Sequence, residues 1–211
     1  MPGHSAIVGA KDFYSTEAQD KFILLTDDIP GEVLAEHISD SSKALTLDQK
    51  KRVVRDTLSA LQHMCDHGVV HRNITPDHIV LGMDGQPRLI DFDFARIAAE
   101  QTSTIADEIQ DRISNRYKAP ELWAENHAAS CASDLYSFAL VVYELFTGET
   151  AFDSVTQAIE KSCEFNKNPS DINGQLSTVF DDWLIKLKAK EPSDRPSAQE
   201  ALKAFNAIWS L

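Results

Sequence analysis

Two stretches carry residue types that could do chemistry. The first reads His71-Arg72-Asn73-Ile74-Thr75-Pro76-Asp77-His78-Ile79-Val80-Leu81, and the second reads Leu89-Ile90-Asp91-Phe92-Asp93-Phe94-Ala95-Arg96. In the first, imidazole, guanidinium, amide, hydroxyl and carboxylate groups precede an apolar run. In the second, Asp91 stands twenty positions after His71 and closes another apolar run. A polar loop, a strand, a tight turn and a second strand, with acidic and amide groups at the strand ends, commonly present phosphate and a divalent metal.

The elements that must position these groups can be read from pattern. Residues 4–13 and 21–26 read as two short strands, centred on Ala6-Ile7-Val8 and Phe22-Ile23-Leu24-Leu25, with polar Ser15 to Asp20 connecting them as a hairpin. A short helix is expected through Ile38, then loop at Asp40-Ser41-Ser42. Thr46 with Gln49 forms a capping box for a helix over 47–66, whose Val54, Leu58, Leu61 and Cys65 fall on one face until Gly68 ends it. The runs 79–81 and 87–90 flank Asp84-Gly85 as a small hairpin. Residues 97–116 are polar and aperiodic, and read as a long surface loop. Pro120 to Trp123 starts a helical turn. The segment 132–147 is apolar almost all round, so it is a helix buried by its neighbours, stopped by Gly148. Shorter helices follow near 154–164, 176–188 and 197–208, with Pro169, Pro192 and Pro196 at the joints.

Bulk properties narrow the classes of function. The 211 residues suffice for one good core, and 43% hydrophobic with 25% charged residues is ordinary for a globular protein. A formal net charge of −13 argues against nucleic acid and anionic membrane surfaces as partners. Cys65, Cys131 and Cys163 lack CxxC spacing, which favours reduced thiols in an intracellular compartment over a disulfide framework or zinc site. No basic segment precedes an apolar stretch at the N-terminus, and the longest apolar run, 138–142, is far too short to span a bilayer. The expectation is a cytoplasmic, compact unit.

Five motifs in order resemble the C-terminal lobe of a eukaryotic-type protein kinase. His71-Arg72-Asn73 is similar to the HRD triplet, Asp91-Phe92-Asp93 to DFG, and Ala119-Pro120-Glu121 to APE. Asp134-Leu135-Tyr136-Ser137-Phe138 resembles the start of the family's buried central helix, and Asp194-Arg195-Pro196 the segment whose arginine pairs with the APE glutamate. The resemblance implies an α+β, mostly helical fold: residues 1–30 as residual N-lobe strands and hinge, and 31–211 as a helical C-lobe. It places Thr26 at the gatekeeper position and Asp28 and Ile29 in the hinge that would meet a nucleotide. It makes His71, Arg72, Phe92, Glu121, Asp134 and Arg195 scaffold residues, with a Glu121–Arg195 ion pair and with Asp134 accepting the N–H groups of the 71–72 turn. Tyr117 and Trp123 are read as packing. For a phosphorylated loop 97–116 Arg72 would be the receiving cation, although solvated hydroxyls at Thr102, Ser103, Thr104 and Ser114 are the preferred reading.

The chemistry departs from that pattern. Phosphoryl transfer needs positioned phosphates, metal-held charge and a group that orients the attacking hydroxyl. Asn73 stands at the catalytic aspartate position, and an amide has no accessible basic form. Thr75 replaces the lysine two positions on. His78 replaces the metal-binding asparagine, and imidazole suits Mg²⁺ poorly. Asp91 remains as one metal carboxylate, and Asp93 stands where a glycine gives the turn its freedom. No GxGxxG and no VAIK-like tetrapeptide occurs. These departures predict a pseudokinase-like module, inactive or severely impaired, that works by contact with a protein partner or with other domains of a larger polypeptide. No cofactor is expected unless an N-lobe supplied elsewhere brings ATP and Mg²⁺. The competing readings are an atypical serine/threonine kinase using Asp77 or Asp93 as proton acceptor, and a purely structural fragment.

Overall fold

The organising helix, α2 (Leu47–Asp66), begins where the capping signal predicts. Thr46 Oγ1 accepts the Gln49 N–H at 3.3 Å, and Gln49 Oε1 accepts the Thr46 N–H at 2.8 Å. Its apolar face buries Val54, Leu58, Leu61 and Met64, and Gly68 ends the helix at φ 69°. This computed structural model describes residues 3–15, 22–97, 115–123, 129–160 and 164–210.

Helix α3 (Cys131–Thr147) is the axis of the core. Every residue from Ser133 to Phe146 is buried, as an all-round apolar segment requires. Gly148 takes φ 72° and returns its N–H to Glu144 O at 2.8 Å. Around α3 pack α2 and α6 (Thr178–Leu187), and α7 (Ala198–Ile208) closes over α2 and α6. Phe146, Phe180, Trp183, Phe205 and Trp209 form one aromatic cluster at this junction. Each large side chain buried there stabilises the fold by roughly 2 kcal/mol in transfer terms. Of two short helices, α5 (Pro169–Ile172) packs on α3, while α4 (Val155–Glu160) packs against the turn at Asn115–Tyr117. Pro169 marks no mere joint: it opens α5, where a missing N–H costs nothing.

The strands lie toward the N-terminus. β1 (Ala10–Ser15) and β2 (Phe22–Thr26) pair antiparallel as a ribbon. β3 (Gly31–Val33), β5 (Ile79–Gly82) and β6 (Pro87–Leu89) form an antiparallel sheet in the order β3-β5-β6. β4 (Val69–Val70) pairs with β7 (Arg96–Ile97). Helix α1 (Leu34–Ser39) follows β3 directly.

Two expectations change. The first strand, expected over 4–13, is 10–15, so it overlaps that range at 10–13 and is not centred on the apolar 6–8. Ala6, Ile7 and Val8 are buried and run beside β6 through one parallel bridge, Ile7 to Leu89. The apolar run is needed there to cover the core, so the more polar residues that follow it form the exposed hairpin. Residues 16–20 of the expected connection lie outside the described residues. The second change concerns the thiols: Cys65 and Cys131 are disulfide-bonded, with Cα atoms 5.7 Å apart and 66 positions between them in sequence. Local spacing carries no trace of that pairing, because packing of the end of α2 beside the start of α3 creates it.

The fold is thus α+β and predominantly helical, with a strand cluster at the N-terminal end, as a kinase-like lobe requires. Among the described residues no helix is long and apolar enough to cross a membrane.

Candidate functional site

The loop 71–78 hangs from α3. Asp134, buried, accepts the His71 N–H at 2.7 Å and the Arg72 N–H at 2.8 Å. Burial pushes its carboxyl up to about 7, against these two donors and the nearby Arg72. The same grip holds Arg72 at φ 69°, a left-handed conformation that costs a side-chain-bearing residue about 1–2 kcal/mol. Arg72 Nε donates to Phe94 O, tying the loop to the second stretch. His71 is wholly buried, packs against Phe92 at 4.7 Å between ring centroids, and has Nε2 3.0 Å from Ile90 O. Burial depresses its imidazole to about 4, so it is neutral near pH 7 and acts as a packing and hydrogen-bonding group.

Asn73, Thr75, His78 and Asp91 come together. Asn73 and Thr75 are buried. His78 Nδ1 lies 2.8 Å from Asn73 O and 3.2 Å from Thr75 Oγ1, and its Nε2 lies 3.1 Å from Asp91 Oδ2. Both ring nitrogens therefore face oxygens, Nδ1 those of the loop and Nε2 that of Asp91. Asp91 sits at φ 60°, and its Oδ1 accepts the Asp93 N–H at 3.3 Å. The left-handed residue of this turn is Asp91; Asp93 lies outside that region and carries no such strain. The glycine position of the motif therefore needs no glycine here.

This set does not fit a magnesium ion. Mg²⁺ requires hard oxygen ligands in octahedral geometry. Here one carboxylate remains, and an imidazole is already seated on it. Among the described residues no group of three or more His, Cys, Asp or Glu side chains is placed to hold a metal.

The three residues expected in the hinge separate. Asp28 and Ile29 line a groove of about 910 Å³ with His4, Gly82 and Met83. Thr26 ends β2 opposite Ala10 and is not part of that groove, and neither are Asn73, Thr75, His78 and Asp91. The expected hinge and the expected phosphate side do not share this cavity.

At the opposite end of the site Glu121 and Arg195 form the expected ion pair. Arg195 Nη2 reaches Glu121 Oε2 at 2.7 Å and Nη1 reaches Oε1 at 2.8 Å, with side chains 0% and 7% exposed for Arg195 and Glu121. Burial alone would raise the Glu121 carboxyl, but Arg195 and Ser133 hold it below its ordinary range. Ser133 Oγ donates to Glu121 Oε1, and Arg195 Nη1 also donates to Ala132 O, so α3, Pro120–Trp123 and the segment before α7 meet at one point.

Sequence reading missed one pair. Tyr117 Oη donates to Glu144 Oε2 at 2.8 Å. Burial first, with Asp77 adding repulsion against Tyr117 and Arg116, lifts the Glu144 carboxyl to about 7 and pushes the Tyr117 hydroxyl up as well. A lone glutamate inside an otherwise apolar helix was the available signal. Trp123 lies under Lys118 Nζ at 4.3 Å from the ring centroid, a packing role as read. Residues 98–114, with Thr102, Ser103, Thr104 and Ser114, lie outside the described residues.

The comparisons agree with this geometry. The family described as "Protein kinase domain" matches residues 1–205. A probable serine/threonine-protein kinase PknB of Lactococcus lactis is 25% identical over 195 residues, 91% of this chain and 30% of that protein. Serine/threonine-protein kinase TIO of Arabidopsis thaliana is 28% identical over 91% of this chain and 14% of its own length. Serine/threonine-protein kinase 36 of Mus musculus is 29% identical over 94% and 14%. The chain thus spans less than a third of the length of each of these relatives. With a buried central helix, an Asp134-held turn and a Glu121–Arg195 anchor in the family's order, this chain belongs to the protein kinase domain family.

Proposed function

We propose that this domain is a pseudokinase-like regulatory module that binds a protein partner, or other domains of a larger polypeptide, and transfers phosphate poorly or not at all. One observation carries the reading: the His78 imidazole stands on Asp91, beside an amide at the base position. The carboxylate that would hold a metal is engaged by a side chain, and Asn73 offers no proton acceptor. A general base contributes about 10²–10⁴-fold in rate, and that contribution is missing before the metal is considered. Exposed Phe13, Tyr14, Ile23, Leu24 and Leu25 on the β1–β2 ribbon support a contact role, since contiguous apolar surface marks interaction sites. ATP and Mg²⁺ enter this reading only through an N-lobe supplied elsewhere, with Thr26, Asp28 and Ile29 as the hinge. The acidic composition favours neither nucleic acid nor membrane as a partner, and a cytoplasmic setting is part of this proposal. A radiolabelled phosphoryl-transfer assay with Mg²⁺ or Mn²⁺ tests the proposal: background signal is expected, and turnover abolished by Asp91→Ala overturns it.

A second reading has its own support. The relatives are named serine/threonine kinases, and Asp77 and Asp93 expose carboxylates beside the loop. An atypical active kinase predicts nucleotide-dependent thermal stabilisation of the full-length protein; no shift at millimolar ATP removes it.

A further inference from the structure

Cys65 and Cys131 belong to no part of the site described above, yet the residues around them govern it. Cys65 lies in the last turn of α2, and Cys131 is the first residue of α3. Six positions after Cys65 comes His71. Three positions after Cys131 comes Asp134, which holds the N–H groups of His71 and Arg72. Between Cys131 and Asp134, Ala132 O accepts from Arg195 and Ser133 Oγ donates to Glu121. The cross-link therefore spans the two segments whose relative position decides whether Asp134 reaches the 71–72 turn. It also closes a loop that contains Asn73, Thr75, His78 and Asp91.

We propose that Cys65 and Cys131 are a reversible thiol-oxidation site, whose disulfide clamps the 71–78 loop to α3 and whose reduction loosens it. Both side chains are half-buried, so a small thiol or disulfide reagent has access to the pair. Cys131 opens a 17-residue helix, where N–H groups favour the thiolate that attacks. The co-reactant is a small-molecule disulfide such as oxidised glutathione. The Cys131 thiolate attacks one of its sulfurs, that S–S bond breaks and one glutathione thiolate leaves. The Cys65 thiolate then attacks the Cys131 sulfur of the mixed disulfide and expels the second glutathione thiolate. Two thiols are oxidised with loss of two protons, and one small disulfide is reduced to two thiols. A single cross-link among the described residues, rather than a set of several, accords with a sensing role rather than a permanent framework. The clamp is independent of whether the domain transfers phosphate.

The full chain is equilibrated in buffers of reduced and oxidised glutathione, alkylated, and mapped by peptide mass spectrometry, with amide hydrogen exchange followed in parallel. Oxidising buffer is expected to protect Cys65 and Cys131 together from alkylation and reducing buffer to release both. Exchange at the His71 and Arg72 amides should be at least about ten-fold slower in the oxidised form, with a melting temperature higher by roughly 10 °C. Cys65→Ser should lose the redox response of both readouts; if that variant does not fold, the oxidised and reduced wild-type samples still decide. Cysteines that remain alkylatable in excess oxidised glutathione overturn the proposal. So does a disulfide that forms without slowing exchange at His71 and Arg72.

Discussion

His78 Nε2 lies 3.1 Å from Asp91 Oδ2, while Nδ1 of the same ring lies 2.8 Å from Asn73 O. One side chain thus links the backbone of Asn73 to the carboxylate of Asp91. The pair is partly exposed, at 20% for His78 and 31% for Asp91, so solvent screening limits its worth to about 1 kcal/mol. A double-mutant cycle of His78→Asn and Asp91→Asn in urea unfolding should return a coupling near that value. In wild type, millimolar MgCl₂ should leave the melting temperature unchanged. A clear Mg²⁺-dependent rise would contradict the engagement of Asp91 by His78.

The Glu121–Arg195 pair belongs to a different energetic class because both side chains are buried. Arg195→Ala leaves the Glu121 carboxylate uncompensated and deprives the Ala132, Ala189 and Lys190 carbonyls of a donor. A loss of about 3–5 kcal/mol in urea-derived stability is expected. Arg195→Lys should recover little, since an ammonium cannot reproduce the two-pronged contact. Full recovery by lysine would show that charge alone matters.

Asp134 serves two backbone donors with two carboxylate oxygens. In Asp134→Asn one oxygen remains and an NH₂ faces the other N–H. The variant should lose about 1–3 kcal/mol. Faster amide exchange at His71 and Arg72, with little change along α7, would place the damage at the turn.

Glu144 gives the fold a pH dependence whose sign follows from its raised carboxyl, near 7. Between its ordinary value and 7 the folded state binds more protons than the unfolded state, so stability falls as pH rises through this window. Up to about 3 kcal/mol is involved. Asp134 contributes in the same sense, and His71, depressed to about 4, opposes both as pH falls below 6.5. The difference between wild type and Glu144→Gln isolates the one group: it should grow from pH 5 to pH 8. A flat difference would mean that Glu144 is solvated in the folded protein.

Much of the scaffold was legible in advance. Thr46 and Gln49 announce the start of α2, the unbroken apolar run announces a buried α3, and Gly148 announces its end. Asp134, Glu121 and Arg195 were readable because their roles accompany short motifs of fixed order. The strand 10–15 was not, since an apolar triplet such as Ala6-Ile7-Val8 has the same composition whether it pairs in a hairpin or lines a core. Glu144 was passed over because a single carboxylate in an apolar stretch names no partner.

Local pattern thus determined the main helices, their caps and the motif positions at which Asn73, Thr75 and His78 stand, because these depend on residues within a few positions of one another. Contacts between distant segments were decided only in three dimensions. Asn73 is eighteen positions from Asp91, and nothing in their spacing says that His78 bridges them. Cys65 and Cys131 are 66 apart and meet because α2 ends where α3 begins. Such meetings follow from how buried faces pack around α3, which is a property of the whole chain rather than of any stretch of it.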